Sequence, residues 1–383
     1  MQTTGPLAGV KVIEIVGIGP GPFAAMMLAD LGADVLRIDR PGGSALKAAP
    51  ADKDILGRNR PNAAIDLKAP GGVELVLDLI EKADIIIEGF RPGVMERLGL
   101  GPDVALARNP RLVYGRMTGW GQSGPLSALA GHDINYIGVA GGLEPIGRAG
   151  GPPQVPLNLL GDFAGGSMYL VAGVLAALTH ARASGEGQVV DAAITDGVAH
   201  LLSMTVSMEQ SGAWSPVRGT NLLDTGAPFY DVYETEDGGW VSVGGLEPQF
   251  WYALQQAYAA DGLGDLPDRN NFNTWPDLRA ALAEWFASRT RDEWAEVFSA
   301  SDACVAPILP LQDAYVHPHN VARQTYVAEF GVTQPAPAPR FSGTPTAIRS
   351  APQAPGANTR EALSAWGIEQ VDDLIDRKIA FQN

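Results

Sequence analysis

"VKVIEIVGIGPGPFAAMMLADLGADVLRID", residues 10–39, decides the fold. "VKVIEIV" (10–16) is a short apolar run that reads as a buried strand. "FAAMMLADLG" repeats its apolar residues at helical spacing, and "DVLRID" is again strand-like. A strand, a helix and a strand at this spacing imply parallel pairing through a crossover helix. The turn between them, "GIGPGP", invites a dinucleotide-fold reading, with Asp39 22 residues after Gly17. That fingerprint needs G-x-G-x-x-G, whereas the glycines here fall at 17, 19 and 21. Pro20 and Pro22 also remove N–H donors that a phosphate cradle would use, and Arg37 and Arg40 flank the acid that should take a ribose. Nicotinamide binding is therefore not expected.

The pattern continues outward. "GGVELVLDLIEKA", "DIIIEG", "GVMERLG" and "RLVYGRMT" repeat the helix and strand alternation, so the first half is an α/β domain with a doubly wound parallel sheet. "SMYLVAGVLAALTHARAS" predicts a long helix starting near Ser167, followed by a strand "QVVDAAI" and a helix to about Gln210. Its apolar core, "MYLVAGVLAALTHA", is too short a run to span a bilayer. Near residue 215 the texture changes. Two alternating runs around "EDGG" signal a hairpin, and "FWYALQQAYAA" and "TRDEWAEVFSA" signal helices. The expected organisation is a large domain over 1–215, a smaller α+β domain over 216–325 and a C-terminal extension over 326–383. The extension includes the Pro-rich "QPAPAPRFSGTPTAIRSAPQAPGANT", expected to run extended over another domain.

The net charge of −16 argues against nucleic-acid and anionic-membrane partners. The charge is uneven. Residues 37–68 hold seven basic side chains (Arg37, Arg40, Lys47, Lys53, Arg58, Arg60, Lys68) against four acidic ones, while 224–302 hold fifteen acidic against four basic. This asymmetry fits either a small anionic ligand near the N-terminal region or a solvated face. The start of the chain lacks a basic segment followed by a long apolar one, and Cys304 is the single cysteine. These features imply a reducing cytoplasm, no internal disulfide framework, and a buried, inert thiol.

Five histidines narrow the search for acid/base chemistry. His180 and His200 lie in helical patterns, and His317 and His319 sit in "HPH" with no cluster to complete a metal site. His132 of "GHDINY" is a loop histidine, either a bystander or a base. Asp162 of "NLLGDFAGGSM" precedes the long helix, either as its cap or as a base beside a helix N-terminus. In the second case glycines 161, 165 and 166 would let a ligand approach. One histidine and one carboxylate, with no metal and no nucleophilic thiol, suit proton transfer at a carbon next to a carbonyl.

Around these residues the chain resembles the α-methylacyl-CoA racemases of bacterial type, within the family III CoA-transferase superfamily. The resemblance runs over nearly the whole chain and is carried by "GPLAGVKVIEIVGIGPGP", "LGADVLRIDRPGG", "RNRPNAAIDLK", "DIIIEGFRPGVMERLGLGP", "RMTGWGQSGP", "GHDINY", "PLNLLGDFAGGSM", "GAPFYDVYETEDGGWVSVGGLEPQF" and "SDACVAPILP". The segment "SALKAAPADKDILG" departs from the family pattern. The resemblance implies a large Rossmann-like domain, a small domain and an interlocked homodimer. It implies an acyl-CoA substrate interconverted between (R)- and (S)-2-methylacyl thioesters, with no separate cofactor and no metal.

It also implies roles. His132 and Asp162 match the two bases, and Glu247 of "EPQF" matches the residue that orients the histidine; by its position alone Glu247 is equally a helix N-terminal carboxylate. Ile18, Arg40, Ile65, Asp66, Leu67, Lys68, Gly89, Phe90, Arg91 and Arg97 match the coenzyme A site. Gly131, Asp133, Ile134, Asn135 and Tyr136 would lie along the pantetheine and thioester. Transferases of the same superfamily keep the aspartate as a nucleophile, so Asp162 has that alternative role.

Overall fold

The computed structural model describes residues 4–43 and 50–383. Lys47, the first three residues of the start and the 44–49 part of "SALKAAPADKDILG" lie outside the described residues. The chain divides into two compact units. The first comprises 1–140, 157–201 and 324–383, and the second 141–156 and 202–323.

The first unit is built on six parallel strands: β1 (Lys11–Ile15), β2 (Asp34–Asp39), β3 (Asn62–Ile65), β4 (Ile85–Glu88), β5 (Val113–Thr118) and β6 (Gln188–Ala193). Their spatial order is 3-2-1-4-5-6, and a last short strand, Ala380–Phe381, adds antiparallel to β3. This is the doubly wound dinucleotide-fold order, although the glycine fingerprint is broken. Crossovers run through α1 (Pro20–Asp30), α2 (Gly72–Ile80), α3 (Val94–Arg97), α4 (Pro102–Arg108) and α5 (Asp133–Val139). A long helix then joins β5 to β6 and consists of a π-helical stretch, Leu159–Ser167, continued by α6 (Met168–Ser184); α7 (Ile194–Leu201) follows β6.

Strands buried on both faces explain the continuous apolar runs. On one face Ile13, Ile15, Leu36, Ile38, Ile86 and Tyr114 pack on Leu75, Val76, Leu79 and Ile80 of α2. Each such side chain contributes roughly 1.5–3 kcal/mol by leaving water. On α6, Leu170, Val171, Val174 and Leu178 are buried. Gly115 of β5 lets this helix close in, because a Cβ there would lie 2.9 Å from Val174 and 3.1 Å from Leu170. The whole helix Leu159–Ser184 has 26 residues and holds an 18-residue window of mean hydropathy 1.5, long and apolar enough by length and composition to cross a membrane. The shorter apolar run had suggested otherwise, because the helix starts eight residues earlier than its sequence pattern.

Part of the basic cluster is spent on ion pairs within the first unit. Arg60 pairs with Glu14 at 2.5 Å, and Arg58 with Asp30 at 2.6 Å, all four side chains buried. Arg37 pairs with Asp39 at 3.2 Å. Three of the seven basic side chains at 37–68 are therefore structural, while Arg40 and Lys68 are not paired with a carboxylate in this way among the described residues. The C-terminal segment is stitched to the same region. Asn59 Oδ1 accepts from the Arg349 and Ser350 N–H groups at 2.5 and 3.1 Å, and its Nδ2 donates to Ala347 O at 3.0 Å. Asn62 donates to Ala354 O at 2.8 Å and accepts from Gly356 N–H at 2.6 Å.

The second unit holds an antiparallel sheet of β7 (Tyr230–Glu234), β8 (Trp240–Gly244) and β9 (Val305–Ile308), the first two forming the hairpin around "EDGG". Helices α8 (Ser203–Gln210), α9 (Pro248–Ala260), α10 (Trp275–Phe286) and α11 (Arg291–Val297) accompany it. Its core is aromatic: Trp285, Phe286, Trp294 and Phe298 stack mutually with centroids 4.9–6.4 Å apart. Thr290 and Glu293 form a capping box on α11. Residues 141–156 join this unit because Arg218 donates to Glu144 O and Gly151 O, each at 2.6 Å. The boundary thus falls at 201–202 and not at 215, with an excursion at 141–156 that composition does not reveal.

Candidate active site

In an open parallel sheet of this order, ligands bind beyond the carboxyl ends of the strands, where the strand order reverses between β1 and β4. A cavity of about 430 Å³ lies there. Its walls are Val16, Gly17 and Ile18 after β1, Asp39 to Pro41 at the end of β2, Ile65 to Lys68 at the end of β3, and Gly89 and Phe90 after β4. The expected positions Ile18, Arg40, Ile65, Asp66, Leu67, Lys68, Gly89 and Phe90 are thereby brought together. Arg40 and Lys68 are exposed on this wall, and Arg40 Nε donates to Gly43 O at 2.6 Å. Cavities of this size hold small-molecule cofactors and substrates.

A second cavity of about 190 Å³ shares Gly89 and Phe90 with the first and extends to Arg91, Gly131, His132 and Tyr136. Tyr136 forms its wall. Its hydroxyl donates to Gly131 O, its ring meets Trp120 edge-on at 4.7 Å, and Gly119 leaves room for that ring. Burial, reinforced by the charge of Asp162, pushes the Tyr136 phenol up. His132 is exposed and extended (φ −133°) as the N-cap of α5. Its N–H donates to Asn135 Oδ1 at 3.0 Å. Ile134 and Asn135 are exposed on α5, and Arg97 is exposed on α3 and lines neither cavity.

Asp162 is not the cap of a helix beginning near Ser167. The helical path begins at Leu159, and Asp162 lies inside a π-helical turn, where the Phe163 N–H reaches back five residues to Asn158 O. Such turns recur at functional sites because they displace side chains from the ordinary helical register. One carboxylate oxygen, Oδ2, accepts from Asn158 Nδ2 at 3.3 Å and faces Gly19, where a Cβ would lie 3.0 Å away. Gly19 is left-handed (φ 68°), so the "GIGPG" turn gives the carboxylate space. Burial raises the Asp162 pKa, and the Asp133 charge adds to this, while Asn158 and the charge of His132 oppose it.

The backbone donor at Asp162 itself is engaged and not open to a substrate oxygen: the Asp162 N–H donates to Asp133 Oδ2 at 2.6 Å. Asp133 is buried and turned into the protein, not outward along a substrate. Nor do glycines 161, 165 and 166 open a path for a ligand. The space over Gly161 is taken by Asp133 and Ile137, that over Gly165 by Val198, and that over Gly166 by Ile194 and Met117. Asn158 and Gly19 were not singled out from the sequence. Asn158 stands four residues before Asp162, a spacing that faces it once the helix start is placed correctly.

Glu247 lies in the second unit, exposed, as the N-cap of α9. Its carbonyl accepts the Trp251 N–H at 3.1 Å, while its side chain makes no cap hydrogen bond. Cys304 is exposed, not buried, and its thiol is pushed up by desolvation and by the charges of Glu247 and Asp302.

The chain is 42% identical to human alpha-methylacyl-CoA racemase, covering 98% of each. It is 32% identical to the beta subunit of succinyl-CoA–L-malate CoA-transferase from Chloroflexus aurantiacus, again covering 98% of each. A CAIB/BAIF family protein from Brucella suis superposes with a TM-score of 0.83 at 24% identity, over 95% of this chain and all of that one, which shows a shared fold. Residues 7–359 match the family described as CoA-transferase family III, and to that family the chain belongs.

Proposed function

We propose that this enzyme interconverts (R)- and (S)-2-methylacyl-CoA thioesters without a separate cofactor, with His132 and Asp162 as its two proton carriers. The observation that carries the reading is the link between them: the residue after His132 grips the backbone of Asp162, and His132 lines one of two cavities that share Gly89 and Phe90 as walls. The 42% identity to a racemase over nearly the full length supports the same substrate class.

In this mechanism coenzyme A occupies the strand-end cavity and the acyl carbon reaches the His132 side. One carrier takes the α-proton, the carbonyl becomes an enolate oxygen, and the other carrier returns a proton to the opposite face. With the Asp162 N–H engaged, the enolate oxygen is served by the Asp133 and Ile134 N–H groups, which have no acceptor within the first turn of α5. An interlocked homodimer would bring Glu247 of the partner subunit to His132, fixing its tautomer.

The rival is acyl transfer with Asp162 as nucleophile, favoured by the 32% identity to a transferase. Incubation of each pure enantiomer of a 2-methylacyl-CoA in D2O, without an acceptor acid, separates the two. Racemisation incorporates deuterium at the α-carbon from either enantiomer. His132→Ala lowers the exchange starting from one enantiomer about 100-fold and partly spares the other. Absence of exchange in the wild-type enzyme, with CoA transfer to an added acid, refutes the racemase.

A further inference from the structure

Asp133 and Asp162 are 29 residues apart, yet one short contact ties them. Asp133 follows His132 directly and opens α5. The residue is 8% exposed. Oδ2 accepts the Asp162 N–H at 2.6 Å, the neighbouring Gly161 N–H also favours the charged carboxylate, and Oδ1 is buried without a hydrogen-bond partner among the described residues. The π-helix has a local candidate for this task in its own N-cap residue, Asn158, but that side chain makes no cap bond and turns to the Asp162 carboxylate. The free N–H groups at the helix start are instead held from across the site, by the neighbour of the candidate base. Room for the contact is built in: a Cβ on Gly161 would lie 2.3 Å from Asp133 Oδ2.

We propose that Asp133 is the positioning residue of this site, a buried carboxylate staple that fixes the start of the Asp162 helix to the start of α5 and thereby sets the spacing of the two proton carriers. The purpose of that spacing rests on the racemase reading; the staple itself does not. A buried carboxylate on a short charge-assisted bond to a backbone N–H is a stiff link, and stiffness matters because a displacement of about 1 Å at a reacting group costs about 100-fold in rate. This role differs from contact with pantetheine, which the position in "GHDINY" had implied.

Exchange of the α-proton of 2-methylacyl-CoA in D2O is measured for wild type, Asp133→Ala and Asp133→Asn. Asp133→Ala removes the acceptor and should lower kcat about 100-fold from both enantiomers, with KM within about twofold of wild type. Asp133→Asn keeps an oxygen in place and should recover kcat to within about tenfold of wild type. Gly161→Ala leaves Asp133 intact but drives a methyl group into its carboxylate, so it should reproduce the kcat loss; it keeps the test alive if Asp133→Ala does not fold. Hydrogen exchange of the amides in 159–167 should accelerate in Asp133→Ala and Gly161→Ala. Wild-type kcat in Asp133→Ala, a raised KM at unchanged kcat, or an asparagine variant as slow as the alanine one would overturn the staple. A wild-type enzyme that exchanges no α-proton refutes the racemase reading instead, and unchanged amide protection in Asp133→Ala then refutes the staple independently.

Discussion

A carboxylate kept half out of water, next to a second carboxylate, is held at a cost to the fold. The Asp162 pKa is raised by burial and by Asp133, so the native state binds its proton more tightly than the unfolded chain does. Stability from this group therefore falls as pH rises from the ordinary aspartate value of about 3.9 through the raised native value. Asp162→Asn should raise Tm at pH 7 by roughly 1–3 °C, with the gain vanishing below about pH 4. Thermal unfolding of both proteins at the two pH values checks this. The basic residues divide by the same logic. Arg40 and Lys68 line the strand-end cavity, whereas Arg60 is buried against Glu14. Arg40→Ala and Lys68→Ala should each weaken coenzyme A binding about 10-fold, less at high salt, with Tm nearly unchanged. Arg60→Met should unfold more readily because Glu14 is left buried and unpaired. Calorimetric titration with coenzyme A and thermal scans separate the two classes. His132 and Asp162 were singled out in sequence because their residue types suit one reaction, and the contact of Asp133 with the Asp162 backbone links their two neighbourhoods. Asp133 was not: a carboxylate beside a histidine does not say which way it points.

At the scale of elements, the strands were legible because burial on both faces demands uninterrupted apolar runs, as in "DIIIEG" around β4. The start of the helix carrying Asp162 was not. Glycines at 161, 165 and 166 disguise it, since glycine disfavours helices in isolation. Packing overrides that preference. α7 crosses the π-helical stretch so closely that a Cβ on Gly197 would lie 1.9 Å from Gly165 O. Backbone meets backbone there, leaving neither side able to yield. Gly197→Ala should therefore cost about 2–3 kcal/mol, seen as a lower urea midpoint at unchanged slope, and should slow turnover by shifting the Asp162 turn. An alanine variant with wild-type stability would show that α7 moves freely against this stretch.

At the scale of the whole molecule, composition located the Pro-rich segment and its extended form, and left open what receives it. Pro and Gly supply few donors and no side-chain acceptors, so an extended tail needs polar partners from the surface it crosses. Asn59 and Asn62 of "RNRPN" provide them, and their role is invisible in sequence because asparagine also marks ordinary turns. Asn59 is itself left-handed (φ 62°), a conformation asparagine tolerates better than most residues. Its amide accepts two tail N–H groups and donates to Asp30 Oδ1 at 2.7 Å, next to the Arg58 ion pair. Asn59→Ala strands those two N–H groups at about 1–3 kcal/mol each, and alanine adds strain at positive φ. Release of 336–357 should then precede global unfolding, since the sheet core on α2 does not depend on these bonds. Limited proteolysis should cut Asn59→Ala within this segment at least about 10-fold faster than wild type. Asn59→Asp keeps the acceptor but sets a second carboxylate beside Asp30, so it should be cut faster still at pH 8 than at pH 5. Equal cleavage rates for all three proteins would mean that the tail is held by the helices Thr359–Ala365 and Val371–Asp376 and the strand Ala380–Phe381, and not by the asparagines.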